Sequence, residues 1–305
     1  VSHRFGFAGT SDYAADCLRR LVAEGVEPAF VLTQPDRPAG RNRRLTAPPA
    51  ALAARELGLT VIAPERAIDA LPTIAAAGVA AVAICAYGQL LPAALLAAVP
   101  WLNVHPSLLP RWRGAAPIER AILAGDTETA VAVIETTLAL DAGPVVSVDR
   151  FPLEGLDAGA AMTRSLELGV PRLAAALRAC AAGTLVSTPQ REEGITYAHK
   201  LGAVDRPLDP AVGVRDALLR VRALAPHIGA TIVLGGERLV VWRAERADVA
   251  LEPGAVRADH GAIAVGFGDG ALSLLELQAP GKRSLSAAAL LRGWRKPLGP
   301  ATGAG

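Results

Sequence analysis

The chain has 305 residues, 51% of them hydrophobic and 20% charged, which provides for a large buried core and excludes a disordered chain. Lys and Arg total 31 against 29 for Asp and Glu, a formal net charge of +2, so a bound polyanion must be met by a local basic patch and not by a global field. Three widely spaced cysteines, Cys17, Cys85 and Cys180, suggest neither a disulfide framework nor a Cys-rich zinc site, and a reducing interior is the default expectation.

The first residues, Val1-Ser2-His3-Arg4, lack the basic-then-apolar order of a secretion signal. Residues 4–8 read as a buried strand, 12–23 as an amphipathic helix and 28–33 as a second strand. The stretch 34–49 is Pro-rich and basic, with Arg37, Arg41, Arg43 and Arg44 against the single acid Asp36. Its length and the hinge residues Gly40 and Asn42 predict a mobile loop whose guanidinium forks contact phosphate, the alternative being a merely solvated loop. A helix over 50–57 and an apolar run at 60–62 follow.

Residues 74–100 carry no charge and would pass a crude membrane-span filter, but Gly78, Gly88, Gln89 and Pro92 interrupt them. The composition predicts a helix end, a strand over 79–85, a turn, and a short helix after Pro92. Further strands are expected at 102–105, 130–137 and 144–148. Helical and near-continuous apolar segments in alternation predict an α/β fold, a doubly wound and mostly parallel sheet covered on both faces.

A long helix over 158–182 ends at Gly183, and 184–206 is polar and weakly periodic. Beyond a helix at 212–224, short strands separated by Gly235-Gly236, Pro253-Gly254, His260-Gly261 and Asp269-Gly270 predict a small barrel or sandwich, with a hairpin joining 263–267 to 271–277. The expected division is an N-terminal domain at 1–189, a linker at 190–206 and a C-terminal domain at 207–305. That last part carries twelve Lys and Arg against nine Asp and Glu, a surplus of three positive charges.

Ligands of a doubly wound sheet gather outside the carboxyl ends of its strands. The first strand ends in Gly6-Phe-Ala-Gly9-Thr10, which is not GxGxxG, and no acidic residue closes the second, so a nicotinamide dinucleotide is not expected. The Gly266 to Gly270 run lies in a hairpin and reads as a turn. Gly-x-Ser-x-Gly, HExxH and P-loop motifs are absent from the sequence, which removes serine hydrolase, zincin and NTPase readings. Strand alternation points Asn103 and His105 to one side, and Asp141, in what reads as a second carboxyl-end loop, is placed to meet them. An amide donor, an imidazole and a carboxylate together suit attack of a neutral nucleophile on a carbonyl. The plainer alternative is a core histidine and a turn aspartate.

Several motifs occur together in order: Phe7-Ala-Gly-Thr10, Thr33-Gln-Pro-Asp-Arg-Pro-Ala-Gly-Arg41, Ala86-Tyr-Gly-Gln-Leu-Leu-Pro92, Asn103-Val-His-Pro-Ser-Leu-Leu-Pro-Arg-Trp-Arg-Gly-Ala-Ala-Pro-Ile118, Leu140-Asp-Ala-Gly143 and Thr196-Tyr-Ala-His-Lys-Leu201. Through them the chain resembles the methionyl-tRNA formyltransferases over most of its length. The resemblance implies a Rossmann-like formyltransferase domain, a linker and a C-terminal barrel similar to an OB-fold. It also implies 10-formyltetrahydrofolate as cosubstrate, initiator methionyl-tRNA as partner, no metal, no membrane, a cytoplasmic location and a monomer. By the same resemblance Asn103, His105 and Asp141 occupy catalytic positions, while Ser107, Leu108, Leu109 and Pro110 with Ala86, Tyr87 and Gly88 line the folate site. Arg37, Arg41, Arg43, Arg44 and Lys200 fall to the tRNA. The alternatives are a formyltransferase acting on a small amine, such as glycinamide ribonucleotide or an amino sugar nucleotide, and a noncatalytic tRNA-binding homologue.

The chain departs from the family pattern in four places. Ala142 lacks the hydroxyl usual beside the carboxylate, and Ala203-Val204 stand where basic residues are common. Leu208-Asp-Pro210 and Pro226-His-Ile-Gly-Ala230 differ at tRNA-side positions.

Overall fold

The structure, a computed structural model, describes residues 4–39, 44–259 and 261–303. It divides into two compact units, one made of Val1–Ala115, Thr129–Phe151 and Met162–Ala198, the other of Ala116–Glu128, Pro152–Ala161 and His199–Gly305.

In the first unit β1 (Phe5–Gly9) leads through Ser11, whose hydroxyl caps the Ala14 amide, into α1 (Asp12–Ala23) and β2 (Pro28–Leu32). The expected loop at 34–49 is instead built on a ribbon, β3 (Arg37–Ala39) paired antiparallel with β4 (Arg44–Thr46), Arg37 facing Thr46 and Pro38 facing Leu45. Pro38 and the density of arginine hid these strands. A two-stranded ribbon has open edges, where a missing amide donor is tolerated.

The helix α2 (Pro49–Glu56), the short strand β5 (Val61–Ile62), α3 (Leu71–Ala77), β6 (Ala81–Cys85), α4 (Ala93–Ala98) and β7 (Trp101–His105) follow. Gly78 stops α3 in the left-handed region, so the uncharged stretch becomes two short helices flanking a buried strand. Among the described residues no helix is long and apolar enough to cross a membrane. Next come β8 (Arg113–Gly114), then α5 (Pro117–Leu123), which belongs to the second unit, then β9 (Glu128–Glu135), β10 (Val145–Pro152), α6 (Ala158–Ala181) and β11 (Tyr197–Ala198).

The main sheet has the order β10-β9-β7-β6-β1-β2-β5. Strands β7, β6, β1, β2 and β5 are mutually parallel, as a doubly wound fold requires. Strand β9 runs antiparallel to β7, with Leu102 opposite Glu135 and His105 opposite Ala132. Alternation divides β7 between the two faces of the sheet: Leu102 and Val104 join the cluster of Phe7, Val131, Leu166 and Leu173, and Trp101 joins that of Phe30, Val82 and Leu95. Asn103 and His105 therefore emerge on the Trp101 face.

The second unit holds α7 (Val214–Leu224), β12 (Ala230–Leu234), β13 (Glu237–Ala247), β14 (Val256–Asp259), β15 (Ala262–Phe267), β16 (Gly270–Gln278), β17 (Ser284–Ser286), α8 (Ala287–Gly293) and β18 (Thr302–Gly303). Its antiparallel sheet has the order β14-β15-β16-β13-β12-β18, with β17 on β16. Register shifts around Arg243 bend the long β13, and the sheet curls into a half-barrel around Ile232, Leu239, Val241, Phe267 and Leu274. The expected hairpin is present, and its Asp269 carboxylate accepts the Val214 amide at 2.6 Å, which closes the first turn of α7.

On α5, Arg120 forms a bidentate pair with Asp205 at 2.8 and 3.2 Å and also donates to the carbonyls of His199 and Lys200. Burial raises the Asp205 carboxyl, but the Gly202 amide and Arg120 outweigh it and hold it below the ordinary carboxylate value. The pair's stabilisation is thus complete above the unfolded carboxylate range and is lost as pH falls through the lowered folded value. Asp205→Asn is expected to remove about 2 kcal/mol at neutral pH. It should also flatten the acid limb of the unfolding midpoint against pH. An unchanged acid limb would show that the pair contributes nothing.

Candidate active site

The order of the main sheet reverses at β1, which has β2 on one side and β6 on the other, so a crevice opens between the carboxyl ends of β1 and β6. Hydrogen bonds tie the segment after β6 across that crevice. Thr10 donates its amide to the Ala86 carbonyl at 3.2 Å and its hydroxyl to the Tyr87 carbonyl at 2.7 Å, and the Gln34 amide reaches the same Tyr87 carbonyl at 3.1 Å. Ala86 and Gly88 are exposed there. The Tyr87 side chain is buried, which pushes its phenol up to about 12, and among the described residues its hydroxyl has no partner. Just beyond β7, Ser107 is likewise buried with an unpartnered hydroxyl, whereas Leu108, Leu109 and Pro110 are half-buried. Surface for a ligand is thus offered by Ala86, Gly88 and the residues 108–110, with Tyr87 and Ser107 behind them.

Asn103, His105 and Asp141 are brought together. Asn103 Nδ2 lies 3.4 Å from Asp141 Oδ1, and His105 Nδ1 lies 3.8 Å from Asp141 Oδ2. His105 Nε2 lies 3.1 Å from the Trp112 carbonyl, an acceptor only, so Nε2 carries a proton there. The side chains of His105 and Asp141 are 6% and 13% exposed. Both carboxylate contacts within the group are long, and the firm bond to Asp141 Oδ2 comes from the Gly114 amide at 2.8 Å.

Asp141 reaches this place by a route the sequence did not suggest. Its loop was expected at the carboxyl edge of a parallel sheet. Because β9 is antiparallel, its carboxyl end lies at the amino end of β7, where the Thr136 amide bonds to the Trp101 carbonyl. The loop then folds back over the sheet face, pinned at its neck by the Glu135 amide on the Pro144 carbonyl at 2.9 Å. Gly143 sits in that neck, where a Cβ would stand 1.7 Å from the Glu135 carbonyl oxygen.

Among the described residues the non-glycine positions with φ between +20° and +160° are Ala86, Trp112 and Asp141, at +45°, +63° and +47°. All three belong to this site, the pattern of backbone strain held at a functional constellation. Sequence reasoning missed Gly114, held between Asp141 and the Ala198 carbonyl, and Gln190, which donates to the carbonyls of Asp141 and Gly143. A glycine followed by small residues was the sole signal for the first. Nothing in the sequence signalled the second.

Of the basic residues expected to meet RNA, Arg37 and Arg44 lie exposed on the β3–β4 ribbon, and Arg41 and Arg43 lie outside the described residues. Lys200 is exposed in the other unit. That unit also has a cleft of about 600 Å³ whose wall includes Lys282, Arg283, Trp294, Arg295 and Lys296, with Lys296 paired to Glu237. Among the described residues no group of three or more His, Cys, Asp or Glu could hold a metal ion.

A family model described as Formyl transferase matches residues 5–171, and one described as Formyl transferase, C-terminal domain matches 213–295. The chain is 41% identical to a methionyl-tRNA formyltransferase of Aromatoleum aromaticum, over 95% of this chain and 94% of that protein. It is 42% identical to one of Bordetella petrii, over 97% and 98%. Among solved structures it is similar to HypX from Aquifex aeolicus in complex with tetrahydrofolic acid, with a TM-score of 0.69 and 19% identity over 95% of this chain and 47% of that one. The sugar 3N-formyl transferase WlaRD, solved in the presence of dTDP and 5-N-formyl-THF, gives a TM-score of 0.64 and 13% identity over 92% and 99%. These two likenesses speak for the fold.

Proposed function

The chain belongs to the formyl transferase family, and on that premise we propose that it transfers the formyl group of 10-formyltetrahydrofolate to the amino group of methionyl initiator tRNA, as a cytoplasmic monomer. The observation that carries the chemistry is the convergence of Asn103, His105 and Asp141 on one face of β7.

The α-amine, whose ordinary pKa of about 7.7–8.0 leaves a usable neutral fraction, attacks the formyl carbon. A new C–N bond forms as the bond from carbon to N10 breaks, and no covalent enzyme intermediate is needed. Negative charge developing on the formyl oxygen is met by the Asn103 amide and the His105 Nε2–H, the latter exchanging the Trp112 carbonyl for the substrate. Asp141 holds the imidazole and, through water, passes the proton lost by the amine toward N10 of the departing folate.

Catalysis falls to residues 1–189, joined by 190–206 to a tRNA-side domain at 207–305, a division consistent with the two family matches. Folate would lie against Ala86, Tyr87 and Gly88 and against Ser107, Leu108, Leu109 and Pro110. The exposed crevice surface supports that placement, and the folates named with proteins of similar fold support a folate as the ligand. Arg37, Arg41, Arg43, Arg44 and Lys200 would contact phosphates, with the Lys282, Arg283, Arg295 and Lys296 cleft as a further basic surface.

The test is formyl transfer to charged initiator tRNA beside glycinamide ribonucleotide and an amino sugar nucleotide. Transfer to the tRNA alone is expected. In the same assay Arg37→Ala with Arg44→Ala should weaken tRNA binding and lower its salt slope by about two. Preference for a small amine would sink the reading, and an unchanged slope would take the ribbon out of the RNA contact.

A further inference from the structure

The geometry points to Gln190 as a positioning residue for the Asp141 loop, with Arg113 as the group that fixes Gln190; the inference rests on the formyl-transfer reading above. The Gln190 side-chain amide uses both ends. Nε2 donates to the Asp141 carbonyl at 2.7 Å and to the Gly143 carbonyl at 2.9 Å. Oε1 accepts from Arg113 Nε at 3.1 Å and Nη2 at 2.7 Å. An amide turned the other way would set its oxygen against two carbonyls and its N–H groups against a guanidinium, so the orientation is fixed by its neighbours. Arg113 is itself buried, at 8% exposure, so a wrong partner there leaves a costly unpaired charge.

The two gripped carbonyls flank Ala142. Together they fix the Asp141–Ala142 and Gly143–Pro144 peptides, the first of which leaves Asp141 in its left-handed conformation. The Asp141 carbonyl goes to Gln190 while its carboxylate goes to His105 and to the Gly114 amide. One dipeptide thus holds the aspartate twice, Gly114 by its carboxylate and Arg113, through Gln190, by its backbone. The loop's other flank is exposed at Leu138 and Leu140, so this grip, together with the Glu135–Pro144 neck, restrains where the carboxylate stands. A carboxylate displaced by about 1 Å can cost on the order of a hundredfold in rate without altering how substrates bind.

The separating variant is Gln190→Glu. It keeps an acceptor for Arg113 and removes both donors to the loop. The expected result is a folded protein whose kcat falls at least about tenfold while the KM values for folate and tRNA move less than about threefold. In an Asp141→Asn background the same substitution should cost less than about twofold more, because the group it positions is gone. Should Gln190→Glu fail to fold, Gln190→Met, similar in length and without donors, is measured in the same way. Turnover within about twofold of wild type, a loss carried by KM alone, or full multiplicative losses in the double variant would each overturn the inference. Near-normal turnover of Asp141→Asn by itself would instead sink the formyl-transfer mechanism, so the two failures are distinguishable.

Discussion

His105→Ala is expected to lower kcat by about two to three orders of magnitude with the fold retained, and Asn103→Ala by a similar factor, the usual cost of removing one donor from a developing oxyanion. Both residues sit on β7, whose backbone is hydrogen-bonded on both sides, so neither truncation moves the strand. Asn103 is half-buried and makes one long contact to Asp141, which limits the structural cost of its loss. His105 is buried and bonded to the Trp112 carbonyl, and its truncation removes that bond at a cost of about 1 kcal/mol. His105→Gln is the companion variant. It can keep a donor for the carbonyl and so separates lost chemistry from lost packing. Steady-state kinetics with charged initiator tRNA, beside thermal unfolding, decide the matter. Wild-type turnover in either alanine variant would remove that residue from the mechanism.

Gly143→Ala is expected to be more damaging than its single added methyl suggests. The new Cβ would stand 1.7 Å from the Glu135 carbonyl oxygen, a backbone atom at the end of β9. No rotamer change relieves a clash between Cβ and backbone, so the neck formed by Glu135 and Pro144 must open. About 3 kcal/mol of stability is at risk, at the upper end of ordinary overpacking. Turnover should fall by about a hundredfold, because Asp141 is carried on the loop that moves. Thermal unfolding and kcat measured together check this. A normal value of both would show that the neck yields freely and that the loop's anchor lies elsewhere.

The α/β architecture was legible because its strands are nearly continuous apolar runs, so β1, β2, β6 and β7 are found within two residues of where their composition places them. Alternation along β7 was enough to put Asn103 and His105 on one side. Asp141 was identified by its residue type and its loop, yet the reason offered, a shared carboxyl edge, does not apply, because the orientation of β9 depends on pairing that local sequence does not encode. Gln190 touches residues 49 positions away at Asp141 and 77 away at Arg113, and such long-range polar contacts leave no periodic mark. The β3–β4 ribbon and the two-residue pairing of β8 with β11 were too short to show a period. Left-handed φ at Ala86 and Trp112 is a tertiary imposition on residue types that do not favour it.

Those left-handed positions set a limit on engineering this domain. Each stores about 1–3 kcal/mol that a relaxed backbone would release. A screen that rewarded heat resistance while ignoring turnover would therefore accumulate replacements at Ala86, Trp112 and Asp141 and return sturdy, idle variants. Gains in endurance that spare the chemistry have to be sought at positions other than these three.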